Sequence, residues 1–325
     1  MRSRLSALYV LAALCCLFSC SGGNRTAGKD NVNEVRHFPS VGAPGIYTDP
    51  AERMDYVAEH FWDAFMDTSF TGRCDSLYVK GVPKEELETK FGLFSTALWQ
   101  IDISSAAAAV TKLFRLSEMA ELSDTSSNVF ETIASYALKY FYDPNSPVRN
   151  EEFYLPYVRG LAESPAVPDN MKPAYSYDAS MCSLNRVGSQ AADFAFKDLS
   201  GKVHTLCGVN ADFTLLFFSN PGCPSCKEIT EALESDPGIH NLLEEGRLAV
   251  VNIYIDLELD KWRSYAAGYP AEWLSGYDYK YIIRTDQIYN VRAIPSLYLL
   301  DKEKKVLLKD APQDKVFALL SSLAG

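Results

Sequence analysis

The sequence predicts an α+β protein built from two unlike parts, an N-terminal all-α helical domain followed by a C-terminal α/β domain. Three observations carry this. Over residues 42–165 apolar residues recur at helical spacing, and strand signals are scarce. The stretch "SPAVPDNMKP", residues 164–173, then sets three prolines in ten residues and marks a break. Beyond it the pattern changes to alternation and to continuous apolar runs separated by helical segments, as in a layered α/β domain. A chain of 325 residues with 47% hydrophobic residues can supply two cores.

Residues 1–20 read as an export address. Arg2 and Arg4 precede an apolar stretch, residues 5–18, that is shorter than the about 20 residues needed to span a bilayer. Its end, "LFSC", resembles the lipobox of bacterial lipoproteins, in which the cysteine, here Cys20, is acylated and becomes the new N-terminus. An ordinary signal peptide cut near Ser19 and an uncleaved anchor are the alternatives. Residues 21–41 are polar and Gly-rich, the composition of a flexible tether. A net charge of -11 argues against nucleic acid as a partner, because such binding rests on Lys and Arg contacts to phosphate. The four histidines, His37, His60, His204 and His240, show no ligand spacing, so no metal is expected.

In the helical part, Asp49 and Pro50 fit cap and first-turn positions, with Met54, Val57, Phe61, Trp62 and Phe65 following at helical intervals. Pro83 opens a second helix that aligns Leu87, Phe91, Phe94, Leu98 and Ile101 on one face. Residues 104–122 and 126–142 carry similar patterns, and Asn150 can cap a last helix with Phe153, Tyr157 and Leu161 inward. Trp62 and Trp99 could line a groove, but their spacing favours core positions. Cys74 sits in a polar loop and reads as a free thiol.

Residues 166–185 read as a linker and residues 186–325 as the second domain. "ADFAFKD" and "VHTL" flank the turn "SGK" as a hairpin. Phe213–Phe218 and residues 248–255 are apolar runs suited to strands buried on both faces. "SLYLL" and "KVLL" flank "DKEKK" as a second hairpin, and Val316, Leu319, Leu320 and Leu323 mark a closing helix.

The chemistry concentrates in "NPGCPSCKEITEALE", where Cys223 and Cys226 follow a buried strand and open a helix. Pro224 suits the first turn, and Cys226, Ile229 and Leu233 share one helical face, so Cys226 should turn inward and Cys223 stand exposed. A helix N-terminus favours a thiolate, the nucleophile of thiol–disulfide exchange. A structural zinc site would want a second pair of ligands, which the sequence does not offer. A staple closing so short a loop would add little, and a dithiol kept without use is the remaining reading. Cys15 and Cys16 would leave with the signal, and of the remaining cysteines Cys182 and Cys207 are expected to be separate thiols rather than a bonded pair.

The strand, the CPSC motif, the helix, and "VRAIPSLYLLD" together resemble the thioredoxin superfamily. The resemblance implies a thioredoxin-like fold over 186–325, a cis peptide before Pro295, and a loop that packs against the dithiol. It implies Cys223 as attacking thiol and Cys226 as resolving thiol, with Ile294, Pro295, Pro224 and Ser225 as substrate contacts. The 69 residues from Cys226 to Pro295 look more like the membrane-tethered TlpA-like and ResA-like branch, which carries extra structure there. The phrases "YDPNSPVRNEEFY" and "FFSNPGCPSCKEI" make the whole chain similar to lipoproteins of Gram-negative anaerobes that join an uncharacterised helical domain to a thioredoxin-like one. One departure stands out: Phe217 replaces the buried acid that in thioredoxin helps deprotonate the resolving cysteine. The expected function is a membrane-anchored thiol–disulfide oxidoreductase facing the periplasm, with no cofactor beyond the Cys223–Cys226 disulfide. Its partners would be protein thiols and disulfides and a membrane electron donor. The alternative is a non-catalytic binding or scaffold lipoprotein whose helical domain does the main work.

Overall fold

The computed structural model describes residues 34–324. Helix α1 (Pro50–His60) starts where the sequence places it: Asp49 Oδ1 accepts from the N–H groups of Ala51 (2.8 Å) and Glu52 (3.1 Å), with Pro50 in the first turn. A short α2 (Asp63–Met66) follows. Strands β1 (Tyr78–Val79) and β2 (Val82–Pro83) then form a small hairpin, an exception to the all-α expectation. Lys80 and Gly81 both take positive φ (46° and 77°), the pattern of a two-residue hairpin turn. Helices α3 (Lys84–Leu98), α4 (Ile103–Ser123) and α5 (Val129–Ala137) complete the layer, α5 ending in a π-helical turn over Leu138–Tyr142. Helix α6 (Glu151–Glu163) is capped by Asn150, whose Oδ1 accepts from Glu152 N–H at 2.9 Å.

These helices close on one aromatic core that includes Trp62, Phe65, Phe91, Phe94, Phe141, Phe153 and Tyr157. Fully burying a ring of this kind is worth about 1.5–3 kcal/mol, so the cluster dominates the domain's stability. Trp62 is core, and Trp99 is half-buried, its Nε1 donating to the Val148 carbonyl at 3.1 Å.

Two segments differ from expectation. Residues 34–41, expected to belong to the tether, pack onto the domain. Phe38 is buried against Trp62 and Phe65, and the Arg36 guanidinium stands 3.7 Å over the Phe70 ring. Residues 172–182, inside the expected linker, form helix α7 (Lys172–Cys182), which packs on α6. Pro173 lies in its first turn, where a missing N–H costs nothing, so the proline run precedes a helix rather than preventing one.

The second domain opens with the expected hairpin, β3 (Ala195–Asp198) against β4 (Val203–Thr205). In order follow β5 (Phe213–Phe218), α8 (Pro224–Ser235), α9 (Pro237–Glu244), β6 (Leu248–Tyr254), α10 (Leu259–Ala266), β7 (Leu274–Tyr277), α11 (Ile282–Thr285), β8 (Ser296–Leu300), β9 (Val306–Leu308) and α12 (Gln313–Leu323). The seven strands take the order β4-β3-β7-β6-β5-β8-β9, with β5 parallel to β6 and antiparallel to β8. Strand β5 is buried on both faces. Leu215 and Phe217 join one core with Ile229, Leu233, Val316 and Leu320, while Leu216 and Phe218 join another with Phe196, Ile253 and Tyr298. This is a thioredoxin-like fold, and α10 with β7 fills much of the long interval before Pro295. Among the described residues no helix is long and apolar enough to cross a membrane.

The helical layer closes tightly at Gly160 in α6, where a Cβ would overlap the Phe114 ring of α4. That ring is buried and edge-on to Tyr157 at 5.3 Å. Overpacking costs about 1–3 kcal/mol, whereas removing a helical glycine gains under about 1 kcal/mol. Gly160→Val should therefore lower stability by about 1–3 kcal/mol in chemical denaturation; an unchanged or raised midpoint would contradict this packing.

Candidate active site

The dithiol stands where β5 ends. After Phe218 the chain turns through Gly222, which adopts φ +76°, a conformation open to glycine without a Cβ penalty. Cys223 then caps α8: the Cys226 N–H donates to Cys223 Sγ at 3.2 Å, and Pro224 occupies the first turn. Cys223 and Cys226 are joined as a disulfide with their Cα atoms 5.2 Å apart. Cys226 is buried with Ile229 and Leu233 on the inward face of α8, while Cys223 is half-buried and Pro224 and Ser225 are exposed. The geometry thus makes the two sulfurs unequal. Cys223 sits at the positive end of a helix, whose dipole and free N–H groups favour a thiolate once the pair is reduced.

A second strand end meets the first. The antiparallel ladder pairs Phe218 with Ser296, so the residues just before β8 fall beside the turn just after β5. The Ile294–Pro295 peptide is cis, and Ile294 and Cys223 both pack against the core cluster that contains Cys226. The expected site residues Cys223, Cys226, Ile294, Pro295, Pro224 and Ser225 therefore gather at one end of the central strands. Open α/β sheets bind ligands at this end.

The surroundings are largely apolar. Phe217, completely buried, belongs to the same cluster as Cys226, with its ring 6.3 Å from that of Trp273. Asp256 meets the turn through Asn220, whose Nδ2 donates to it at 2.6 Å, and is paired with Arg284. The Tyr265 hydroxyl of α10 lies 3.6 Å from where a Cβ on Gly222 would stand, so the segment between β6 and β7 borders the dithiol. Sequence reasoning missed this neighbour, as it missed the charged groups beneath the cis-proline loop. There Ser296 Oγ donates to Asp310 Oδ1 at 2.7 Å, and Arg292 Nη2 donates to Asp310 Oδ2 at 2.6 Å. Charged residues flanking "AIPS" and closing the last hairpin were the available signal.

The remaining described cysteines stand apart. Cys74, Cys182 and Cys207 are unbonded, Cys182 being buried and Cys207 exposed. Burial, and then the Glu151 carboxylate, push the Cys182 thiol far up. Partial burial and Asp193 raise Cys207 as well. Among the described residues no group of three or more His, Cys, Asp or Glu is arranged to hold a metal ion. Cys20, the expected acylation site, lies outside the described residues.

Comparison with known proteins bears on both domains. The family model of a domain of unknown function, DUF5106, matches residues 19–185. Among solved structures, a thioredoxin-like protein from Bacteroides caccae is 36% identical over 88% of this chain and 98% of its own, with a TM-score of 0.75. The C-terminal domain of an uncharacterized protein from Bacteroides fragilis is 44% identical over 42% of this chain and 98% of its own, with a TM-score of 0.41. The thioredoxin domain of a thiol-disulfide oxidoreductase from Bacteroides vulgatus is 19% identical over 43% of this chain and 99% of its own, with a TM-score of 0.38. No curated protein matches.

The unequal sulfurs and the raised Cys182 thiol give a fixed labelling order. In the reduced native protein near neutral pH, iodoacetamide should modify Cys223 first and Cys226 much later, and should reach Cys182 only on unfolding. Peptide mass mapping over time checks this. Equal rates at Cys223 and Cys226, or early labelling of Cys182, would contradict the geometry.

Proposed function

Because the chain belongs to the DUF5106 family and carries a thioredoxin-like domain after the matched region, we propose that it works as a thiol–disulfide oxidoreductase through Cys223 and Cys226. The observation that carries this reading is the placement of the pair at the N-terminus of α8, beside the cis Ile294–Pro295 loop. In the reducing direction the Cys223 thiolate attacks one sulfur of a partner disulfide, forming a mixed disulfide and releasing the partner's other sulfur as thiolate. The Cys226 thiol gives up its proton and attacks Cys223 Sγ, which closes the Cys223–Cys226 bond and expels the second partner thiolate. The partner gains two electrons and the pair loses two, so a dithiol donor at the membrane must return them for turnover. The same steps reversed oxidise a partner dithiol. The substrates are protein thiols and disulfides, met through Pro224, Ser225, Ile294 and Pro295, and the redox group is the cysteine pair itself.

Phe217 bears on the rate rather than the path. With no acid at that position to take the Cys226 proton, resolution falls to solvent base and should quicken as pH rises towards the Cys226 pKa. The location belongs to the same proposal. Acyl chains on Cys20 would hold the protein to a membrane of the cell envelope, facing the periplasm, where disulfide chemistry persists.

Two experiments test the reading. Cys226→Ser leaves the nucleophile without its resolving partner, so covalent adducts with substrate proteins should accumulate on non-reducing gels, and Cys223→Ser should abolish them. Absence of adducts from Cys226→Ser would leave a non-catalytic binding role as the better account. For the anchor, a radiolabelled fatty acid should enter the wild-type protein and not Cys20→Ser; a wild type that takes up no label would refute lipidation.

A further inference from the structure

The cis-proline loop is held from beneath by a buried ionic cluster that spans both domains. Asp310 accepts from Ser296 Oγ at 2.7 Å and from Arg292 Nη2 at 2.6 Å, so one carboxylate grips both ends of the segment containing Ile294 and Pro295. The backbone of Asp310 itself is left-handed, with φ 42°. The helical domain supplies the other half. Glu151, the first residue of α6, accepts from Arg292 Nε at 3.2 Å and Asn290 Nδ2 at 2.8 Å, and pairs with Lys309 Nζ at 2.7 Å. Arg149, two residues before it, donates through Nε to the Asp310 carbonyl at 3.0 Å and through Nη2 to the Ala311 carbonyl at 3.2 Å. Tyr142, closing the π-helical turn, lies with its ring 4.1 Å from the Arg292 guanidinium. Glu151, Lys309, Asp310 and Ser296 are all at most 4% exposed.

So many buried charges are a costly way to join two domains. An apolar interface of the same volume would be as stable or more so, and what a charged cluster adds is a defined geometry. Here the defined element is the loop beside the dithiol. The β5–β8 ladder ends at the Phe218–Ser296 pair, and beyond it the backbone of Ala293 and Ile294 makes no backbone hydrogen bond among the described residues, which leaves it open to pairing with an extended chain. We infer that the helical domain is the positioning element of the redox site: Glu151, through Arg292 and Asp310, fixes the loop against which a polypeptide substrate pairs. Glu151, Arg292, Asp310 and Ser296 are thus positioning residues for substrate engagement, and the inference rests on the thiol–disulfide reading of the site.

The test compares two disulfides in the full chain. One is a self-quenched fluorescent peptide disulfide, which has backbone to pair with the loop; the other is hydroxyethyl disulfide, which has none. Ser296→Ala removes one grip on the loop without altering charge, and Glu151→Gln keeps the shape of the cluster while removing its carboxylate. Each should lower kcat/KM for the peptide disulfide about 10- to 100-fold, mainly through KM, because small displacements of positioning groups are that costly. Exchange with hydroxyethyl disulfide and alkylation of Cys223 should stay at the wild-type rate. If Glu151→Gln fails to fold, Arg149→Lys, which loses the two-pronged hold on the Asp310 and Ala311 carbonyls from the helical side, replaces it and should show the same selective loss on the peptide disulfide. Equal losses on both disulfides, or no loss on either, would overturn the positioning role. A wild type that exchanges with neither disulfide would sink the redox reading first, and this inference with it.

Discussion

The antiparallel pairing of β5 with β8 is the constraint on which the rest of the site depends. Its register joins Phe218 to Ser296, and that single pairing places the turn leading to Cys223 beside the loop that ends at Pro295. Because side chains alternate along a strand, a one-residue slip would exchange the two faces of β8. Leu297 and Leu299 would then leave the cluster around Cys226, and Tyr298 would enter it. The two cores on either face of β5 therefore specify the site as well as the fold.

The same register ties the first domain to the dithiol end of the second. Ser296 is at once the last partner of β5 and a donor to Asp310, and Asp310 is held by Arg149 from the helical side. Trp99 adds an apolar link, packing against both the helical core and the cluster that includes Cys226, with Lys315 of α12 5.1 Å over its ring. The two domains share an interface of buried charge with aromatic support.

Much of this was legible in the sequence where the signal is local. Cys223 and Cys226 lie at a strand-to-helix junction whose apolar run, first-turn proline and inward spacing all sit within about two helical turns. The caps Asp49 and Asn150 and the hairpin strands around "SGK" are local in the same sense. The helix Lys172–Cys182 does not show in the sequence because prolines mark both breaks and first turns, and only the tertiary contact with α6 decides between them. Phe38 is hidden in a polar stretch for a similar reason: one ring suffices to anchor a segment once a core exists to receive it. The ionic cluster was out of reach. Glu151 and Arg292 are 141 positions apart, and a charged residue reads by default as solvent-facing. Resemblance to the superfamily supplied the cis-proline loop but nothing about what lies beneath it.

The proposed function requires Cys223 and Cys226 to form a reversible two-electron couple at the N-terminus of α8. A redox titration of the full chain against glutathione or dithiothreitol buffers, with the oxidised fraction read by thiol-trapping mass spectrometry, tests it most directly. A single transition confined to this pair is expected, with a slope of about 30 mV per decade and a midpoint between about -270 and -120 mV, the range from thioredoxin to strong oxidants. A pair that stays closed or stays open across that whole range would contradict it.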